Sequence, residues 1–408
     1  MNRNLTVIDP FDPLGNKVGG AETYLKAFLR YLPSDFNLRF MGLTSDPARR
    51  PSRTWTTVRL RDRSFDFYPL LTVRDENVRG RIPLSFRFSR RLRAARSVIP
   101  PGALVFNRFE SAWAVRKSDH PKLAFIHNDI PRQILDRGGE VLWSRFPRLF
   151  LKIEKRLIPA LDFVYTPCAS SVEHFKSRFP EMARAGRIRV VESLFDPDIF
   201  SPSDAPKSDL RRRLLPEREE FQAETKWVLF SGRLQEQKAP LRLIESFAEL
   251  HRRESRARLV IAGTGNLLDA VKSEIAGRSL DRWVHLAGRV DQAVLPDYYR
   301  AADVLVLTSL YEGMPFCVFE ALNCGLPVVS TKAGDIGRVV RNGFSGEVIP
   351  VYNPGAVAAA LEGVLSRPEV YRPENCRESV AEFTPDRILI PVYQTLRDLQ
   401  DGRRPEGR

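Results

Sequence analysis

Short apolar, β-branched runs alternate with amphipathic helical stretches along almost the whole chain, and this alternation restricts the fold more than any other feature. A strand buried on both faces reads as continuously apolar, and its parallel neighbour is reached only through a crossover, usually a helix. The pattern therefore predicts the α/β class with parallel sheets between helical layers. The strand-like runs form two series. The first comprises Leu5–Asp9, Leu38–Leu43, Leu104–Phe106, Leu123–His127 and Phe163–Tyr165, and the second Trp227–Ser231, Leu259–Ala262, Val284–Ala287, Val304–Thr308 and Pro327–Ser330. Between them the Pro/Ser/Asp-rich stretch Ser201–Asp209 reads as a linker. A length of 408 residues is enough for two cores. Each half opens alike, with a strand entering a glycine-bearing turn, Gly19-Gly20 in one and Gly232-Arg233 in the other. Ligands of open α/β sheets bind at strand carboxyl ends, so two facing doubly wound domains would bind a ligand in the gap between them. Periodicity makes Pro385–Leu399 helical but does not say where it packs.

The most chemically specific stretch lies in the second series. Val304–Thr308 runs into a loop carrying Glu312, Pro315 suits the first position of a helix, and Glu320 follows along that helix. A proline there leaves the N–H groups of Phe316, Cys317 and Val318 facing the loop, where the positive end of the helix dipole favours a phosphate. Two carboxylates flanking such a phosphate site suit the hydroxyls of a phosphorylated, polyhydroxylated ligand. Ser231–Ala239 supplies Arg233 and Lys238 beside Gly232 on a strand-to-helix turn. The Arg fork and the Lys point charge would grip a diphosphate together.

Composition narrows the alternatives. No apolar run approaches the ~20 residues of a membrane-spanning helix, and no secretory leader precedes the first strand, so a cytoplasmic location is expected. Cys168, Cys317, Cys324 and Cys376 show neither metal-ligand spacing nor a disulfide framework. A net charge of +14 favours anionic partners. In Ser85–Ile99, Phe88, Leu92, Ala95 and Ile99 form one stripe among arginines, a segment that could lie on anionic lipid at the inner face of the plasma membrane or pack as a basic-faced core helix. Arg211–Arg213 reads as part of a solvated connector.

With these motifs the chain resembles the retaining GT-B glycosyltransferases of glycosyltransferase family 4 (glycosyl transferases group 1). The Gly-Arg-Leu…Lys turn at Gly232–Lys238 and the Glu312/Glu320 loop carry the likeness, together with the glycine loop Gly19–Lys26 and the pre-linker loop Val190–Pro202. The resemblance implies an N-terminal Rossmann-like acceptor-side domain (1–200), a donor domain (201–383) and a terminal crossover helix (384–408) returning to the first. It implies a nucleoside diphosphate sugar as co-substrate, no metal, and transfer of a hexosyl unit to a glycan or lipid-linked acceptor of the bacterial cell surface. Arg233 and Lys238 would hold the diphosphate with the amides of Met314, Phe316 and Cys317 and with Gly19 and Gly20 opposite. Glu320 would take the ribose, while Glu312 and His127 would face the transferred sugar. Ala333–Arg338 and Glu192–Asp196 depart from the family pattern.

Two short motifs read as structural. Gly263-Thr-Gly265 lacks the third glycine of a dinucleotide fingerprint, and Asp196-Pro-Asp198 falls in a turn rather than a metal loop. Three other functions stay open at this level. Glu312 and Glu320 could be a glycosidase pair, although that chemistry has no use for a phosphate clamp. A nucleotide-sugar epimerase would share the fold, and a basic protein could bind a membrane or nucleic acid without catalysis. The chain shows no aromatic-basic nucleic-acid module.

Overall fold

The computed structural model describes residues 3–15, 17, 19–60, 63–76, 82–126, 146–166, 169–222 and 224–403. They form two compact units, Met1–Glu192 with Pro385–Arg408, and Ser193–Thr384.

The first unit is built on strands β1 (Arg3–Ile8), β2 (Phe36–Thr44), β3 (Thr56–Leu60), β4 (Arg63–Thr72), β5 (Ala103–Phe106), β6 (Lys122–Phe125), β7 (Phe163–Thr166) and β8 (Ile188–Val190), in the order β3-β4-β2-β1-β5-β6-β7-β8. Every neighbouring pair is parallel except β3 with β4. The strand order reverses between β1 and β5, so their carboxyl ends mark the switch point of the sheet. Helices α1 (Gly20–Arg30), α2 (Leu84–Ala94), α3 (Phe109–Val115) and α4 (Pro147–Leu157) flank it. Ile8, Leu104 and Phe106 pack with Phe88 and Leu92 of α2 and Phe150 of α4 in one core. The expected basic helix ends at Ala94, short of Ala95 and Ile99, yet Ile99 still points inward at 8% exposure.

The second unit holds β9 (Lys226–Ser231), β10 (Ala257–Ala262), β11 (Val284–Gly288), β12 (Val304–Leu307), β13 (Val328–Thr331) and β14 (Gly346–Ile349), all parallel, in the order β11-β10-β9-β12-β13-β14. This is the doubly wound dinucleotide-type order, with its switch point between β9 and β12. Helices α5 (Pro240–Arg253) and α6 (Phe316–Asn323) start at the carboxyl ends of those two strands. The unit begins at Ser193, ahead of the expected 201, because the intervening residues are bonded into it. Ser193 Oγ donates to the Met314 carbonyl at 3.0 Å, and Arg300 Nε donates to the Ser201 carbonyl at 2.8 Å.

The expected linker is also partly ordered: Lys207–Leu214 is helical. Arg211 is not a solvated connector residue but buried, donating to the carbonyls of Ala301 and Thr225 and pairing with Asp303 at 2.6 Å. A final helix, α7 (Ile390–Gln400), belongs to the first unit. There Tyr393 Oη donates to the Phe28 carbonyl at 2.8 Å, Thr395 Oγ1 meets Tyr165 Oη at 2.9 Å, and Arg397 pairs bidentately with Asp35.

Candidate functional site

The switch point of the second unit assembles most of the residues singled out by sequence. β9 ends at Ser231, and the chain turns through Gly232 and Arg233 to a short 3-10 turn, Glu236–Lys238, before α5. The next parallel strand, β12, ends at Leu307 and leads into the loop of Glu312. Hydrogen bonds to backbone carbonyls lock the two loops together: Leu310 N–H donates to the Gln237 carbonyl at 2.8 Å, and Thr308 Oγ1 to the Ala239 carbonyl at 3.1 Å.

Lys238 and Glu312 therefore meet, Nζ to Oε1, at 2.5 Å, with side chains 15% and 6% exposed. Ser309 Oγ donates to the same oxygen at 2.6 Å, and Gln237 Nε2 donates to Oε2 at 3.3 Å. Burial works against the charge on Lys238, but Glu312 outweighs it and the ammonium titrates above its usual range, even with Arg233 near enough to oppose it. Arg233 itself is exposed. The cluster thus carries one cation held on a carboxylate and a second, exposed one beside it.

Pro315 lies one position before its expected place, as the N-cap of α6, with extended backbone and no side-chain cap. Val318 N–H turns back to the Pro315 carbonyl at 3.1 Å, so the amides of Phe316 and Cys317 are the donors at the helix start left without a backbone partner among the described residues. Burial pushes the Cys317 thiol up to about 12, which makes it a packed neutral group rather than a nucleophile. Glu320, one face further along α6, is 6% exposed. Its Oε2 accepts a hydrogen bond from Tyr299 Oη at 2.8 Å, and Tyr299 also lies 3.1 Å from Ser231 Oγ at the end of β9. Burial raises the Glu320 carboxyl to about 7, while the Tyr299 hydrogen bond pulls the other way.

Two backbone approaches fix this arrangement. A Cβ on Gly263 would collide with the Gly232 carbonyl, and one on Gly265 with the Leu234 carbonyl. The Gly263-Thr-Gly265 turn is thus bonded flat against the clamp turn, with Leu234 N–H donating to the Thr264 carbonyl at 3.0 Å. Gly334, at φ 61°, similarly sits against the carbonyls of Glu312 and Gly313, so the divergent Ala333–Arg338 loop buttresses the Glu312 loop through backbone.

In the first unit, Gly19 and Gly20 open α1, and a Cβ on Gly19 would strike the Glu22 carboxylate. Glu22 pairs with Lys17 at 3.0 Å and with Arg108. Asp9, fully buried at the end of β1, is raised to about 7 by burial, opposed by Arg108 and Lys17. His127 lies outside the described residues.

The structure therefore brings Lys238, Glu312, Cys317 and Glu320 together, with Arg233 and Met314 on the same loops. Sequence reasoning did not find Ser309, Gln237 or Tyr299. Ser309, three residues before Glu312, carried a faint signal as a short hydroxyl just after a strand; the other two carried none. Asp196 accepts from the Asp198 amide at 3.1 Å, the geometry of a turn. Among the described residues no group of three or more His, Cys, Asp or Glu side chains is arranged to hold a metal ion, and no helix is long and apolar enough to cross a membrane.

Residues 212–382 match the family model of Glycosyl transferases group 1, which spans this whole cluster. D-inositol 3-phosphate glycosyltransferase 2 of Catenulispora acidiphila is 34% identical over 212 residues, 49% of this chain and 48% of that protein. Mannosylfructose-phosphate synthase of Agrobacterium fabrum is 36% identical over 165 residues, 38% of this chain and 35% of its own. The chain spans about half the length, or less, of the curated relatives it matches. Among solved structures, sucrose-phosphate synthase from Thermosynechococcus elongatus has a TM-score of 0.77 at 20% identity, covering 98% of this chain and 100% of that one. Anabaena Alr3699/HepE in complex with UDP-glucose has a TM-score of 0.70 at 17% identity, covering 97% and 99%. The chain has the two-domain α/β fold with parallel sheets of the GT-B glycosyltransferases.

Proposed function

We propose that the protein is a retaining, metal-independent glycosyltransferase of family 4, moving a hexosyl unit from a nucleoside diphosphate sugar to a hydroxyl of a glycan or lipid-linked acceptor in bacterial cell-surface polysaccharide or glycolipid synthesis. The observation that carries the reading is the Lys238–Glu312 pair at the head of α6, with Arg233 beside it. Breaking a sugar–phosphate bond builds negative charge on the departing diphosphate and positive charge at the anomeric carbon. Lys238, Arg233 and the first amides of α6 supply positive charge for the diphosphate. One such donor is worth on the order of 10²–10³ in rate.

Glu312 then has two tasks. It holds the Lys238 ammonium in place, and it offers Oε2 to hydroxyls of the transferred sugar. Glu320, steadied by Tyr299, accepts from the ribose. Gly19 and Gly20 are assigned to the diphosphate, and His127 to the transferred sugar, by the family resemblance alone. Support also comes from the relatives, which are named as glycosyltransferases and sugar-phosphate synthases, and from HepE, whose structure holds UDP-glucose. A glycosidase or an epimerase draws no support from these matches.

A thermal-shift screen of nucleotide sugars tests the donor, since a bound donor raises apparent stability by mass action. Arg233→Ala then tests the clamp. The exposed position leaves folding intact, and turnover falls by about 10²–10³ with a smaller change in donor affinity. Wild-type turnover in that variant would refute the assignment.

A further inference from the structure

From Glu76 to Glu110 the chain contains no acidic residue between the two glutamates, while it carries Arg87, Arg90, Arg91, Arg93 and Arg96 on and after α2. These five are exposed. The neighbouring α4 repeats the asymmetry. Its basic residues Arg148, Lys152, Lys155 and Arg156 face solvent, whereas its one acid, Glu154, is fully buried and holds Arg178 at 2.6 Å and His174 at 3.0 Å. At the end of α3, Arg116 stacks on Trp113 with 3.6 Å between guanidinium carbon and ring centre. Burial lowers the Arg116 pKa, and the positive charges of Arg93, Arg96 and Arg156 lower it further, so arginines from three elements crowd one face. Among the described residues no ion pair engages Arg90, Arg93, Arg116 or Arg156.

Apolar surface is interleaved with this charge. Phe86, Phe109, Trp113 and Ile153 line a cleft of about 360 Å³ that Arg90, Arg93 and Glu110 also border. Phe146 and Leu149 at the start of α4 are 54% and 50% exposed, and Ile82 before α2 is 61% exposed. A solvated face would have no use for such groups, and leaving so many like charges together with Glu110 as the acid at the cleft is unfavourable unless an anionic surface meets them.

We propose that the face formed by α2, α4 and the end of α3 is a docking surface for an anionic bilayer, with the arginines among phospholipid headgroups and Phe146, Leu149 and the aromatic cleft taking acyl chains. A nucleic acid would satisfy the charge but offers nothing to Leu149 and Ile82. Each basic side chain near an anionic leaflet contributes about 1 kcal/mol, roughly fivefold in partitioning. The inference rests on the reading of a membrane-linked acceptor, but it uses no residue of the donor cluster.

The test is sedimentation of the full chain with phosphatidylcholine vesicles, with and without phosphatidylglycerol. Wild type should bind the anionic vesicles, and salt should weaken binding. Arg90→Ser/Arg93→Ser/Arg156→Ser should reduce partitioning on the order of a hundredfold. Phe146→Ser/Leu149→Ser should reduce the part that survives high salt. Both variants should keep the wild-type thermal shift with nucleotide sugar, which verifies their folding and separates this result from the donor assignment. Equal binding to neutral vesicles, wild-type partitioning by the triple variant, or tight oligonucleotide binding without vesicle binding would each overturn the proposal. If no nucleotide sugar shifts any form while vesicle binding behaves as described, the donor reading fails and this one stands.

Discussion

Glu320 offers a sharp physical test of the candidate site, because its carboxyl is buried with a hydroxyl for company rather than a cation. Its pKa stands at about 7 against an ordinary value of 4.5. The native state therefore holds a proton that the unfolded chain releases, and it does so between those two pH values. The contribution of Glu320 to native stability is greatest below pH 4.5, falls as the pH rises through about 7, and is level above that. The gap corresponds to about 3 kcal/mol. Glu320→Gln keeps the shape and the Tyr299 hydrogen bond but removes the titration. In denaturant unfolding from pH 4.5 to 8, the variant should gain on wild type steadily, ending about 3 kcal/mol ahead of its low-pH standing. Asp9 and Glu76 in the first unit are also raised to about 7 and add slopes of the same sign, so the difference between the two proteins isolates Glu320. Parallel curves across that range would refute the reasoning. The same proton bears on binding: an ionised carboxylate accepts from ribose hydroxyls on both oxygens, so nucleotide affinity should rise as the pH passes 7 in wild type and stay level in the variant.

Further outcomes follow from the same geometry. Tyr299→Phe removes the hydrogen bond that restrains the Glu320 shift, so the stability slope and the affinity rise should both move to higher pH, as the same unfolding and binding titrations will record. Lys238→Met leaves Glu312 buried beside Ser309 without its ammonium and should lose about 3 kcal/mol in unfolding experiments, most of which Lys238→Met/Glu312→Gln restores while activity stays absent. Gly263→Ala pushes a methyl group into the Gly232 carbonyl, so it should lower the unfolding midpoint by the equivalent of about 1–3 kcal/mol and weaken donor binding, whereas Gly277→Ala, whose Cβ meets nothing nearby, should do neither.

What the sequence revealed and what it hid divide along a physical line. Arg233, Lys238, Glu312 and Glu320 were legible because each follows a buried strand at a short distance, so chain-local spacing alone sets them at a strand's carboxyl end. Gln237 and Tyr299 were not, since their roles exist only once β9 lies beside β12, a pairing that local pattern does not encode. The strands that escaped notice have equally specific reasons. β4 contains Pro69, which argues against a central strand, and the sheet accommodates it opposite Gly42 where the register with β2 shifts. β3 is a half-exposed edge strand, β8 is only three residues long, and β14 opens Gly346-Glu347 with only its ends buried, so it lacks the continuous apolar run of its neighbours.

The incomplete glycine motif at Gly263-Thr-Gly265 joins these two kinds of information. Read as a phosphate loop it lacks a glycine, but the requirement it meets is different: both glycines leave room for the carbonyls of Gly232 and Leu234. Arg233 lies between those two residues, so its backbone is held by Gly232 N–H donating to the Ala262 carbonyl at 3.1 Å and Leu234 N–H donating to Thr264. A guanidinium on an exposed side chain loses rotamer entropy on meeting a phosphate, and a fixed Cα limits that loss to the side chain alone. Lys238 is held from the other direction, through the Gln237 carbonyl and the Glu312 carboxylate. The two cations thus project from separately braced backbones. That bracing is why substitutions at Gly263 should impair the donor site without touching a ligand.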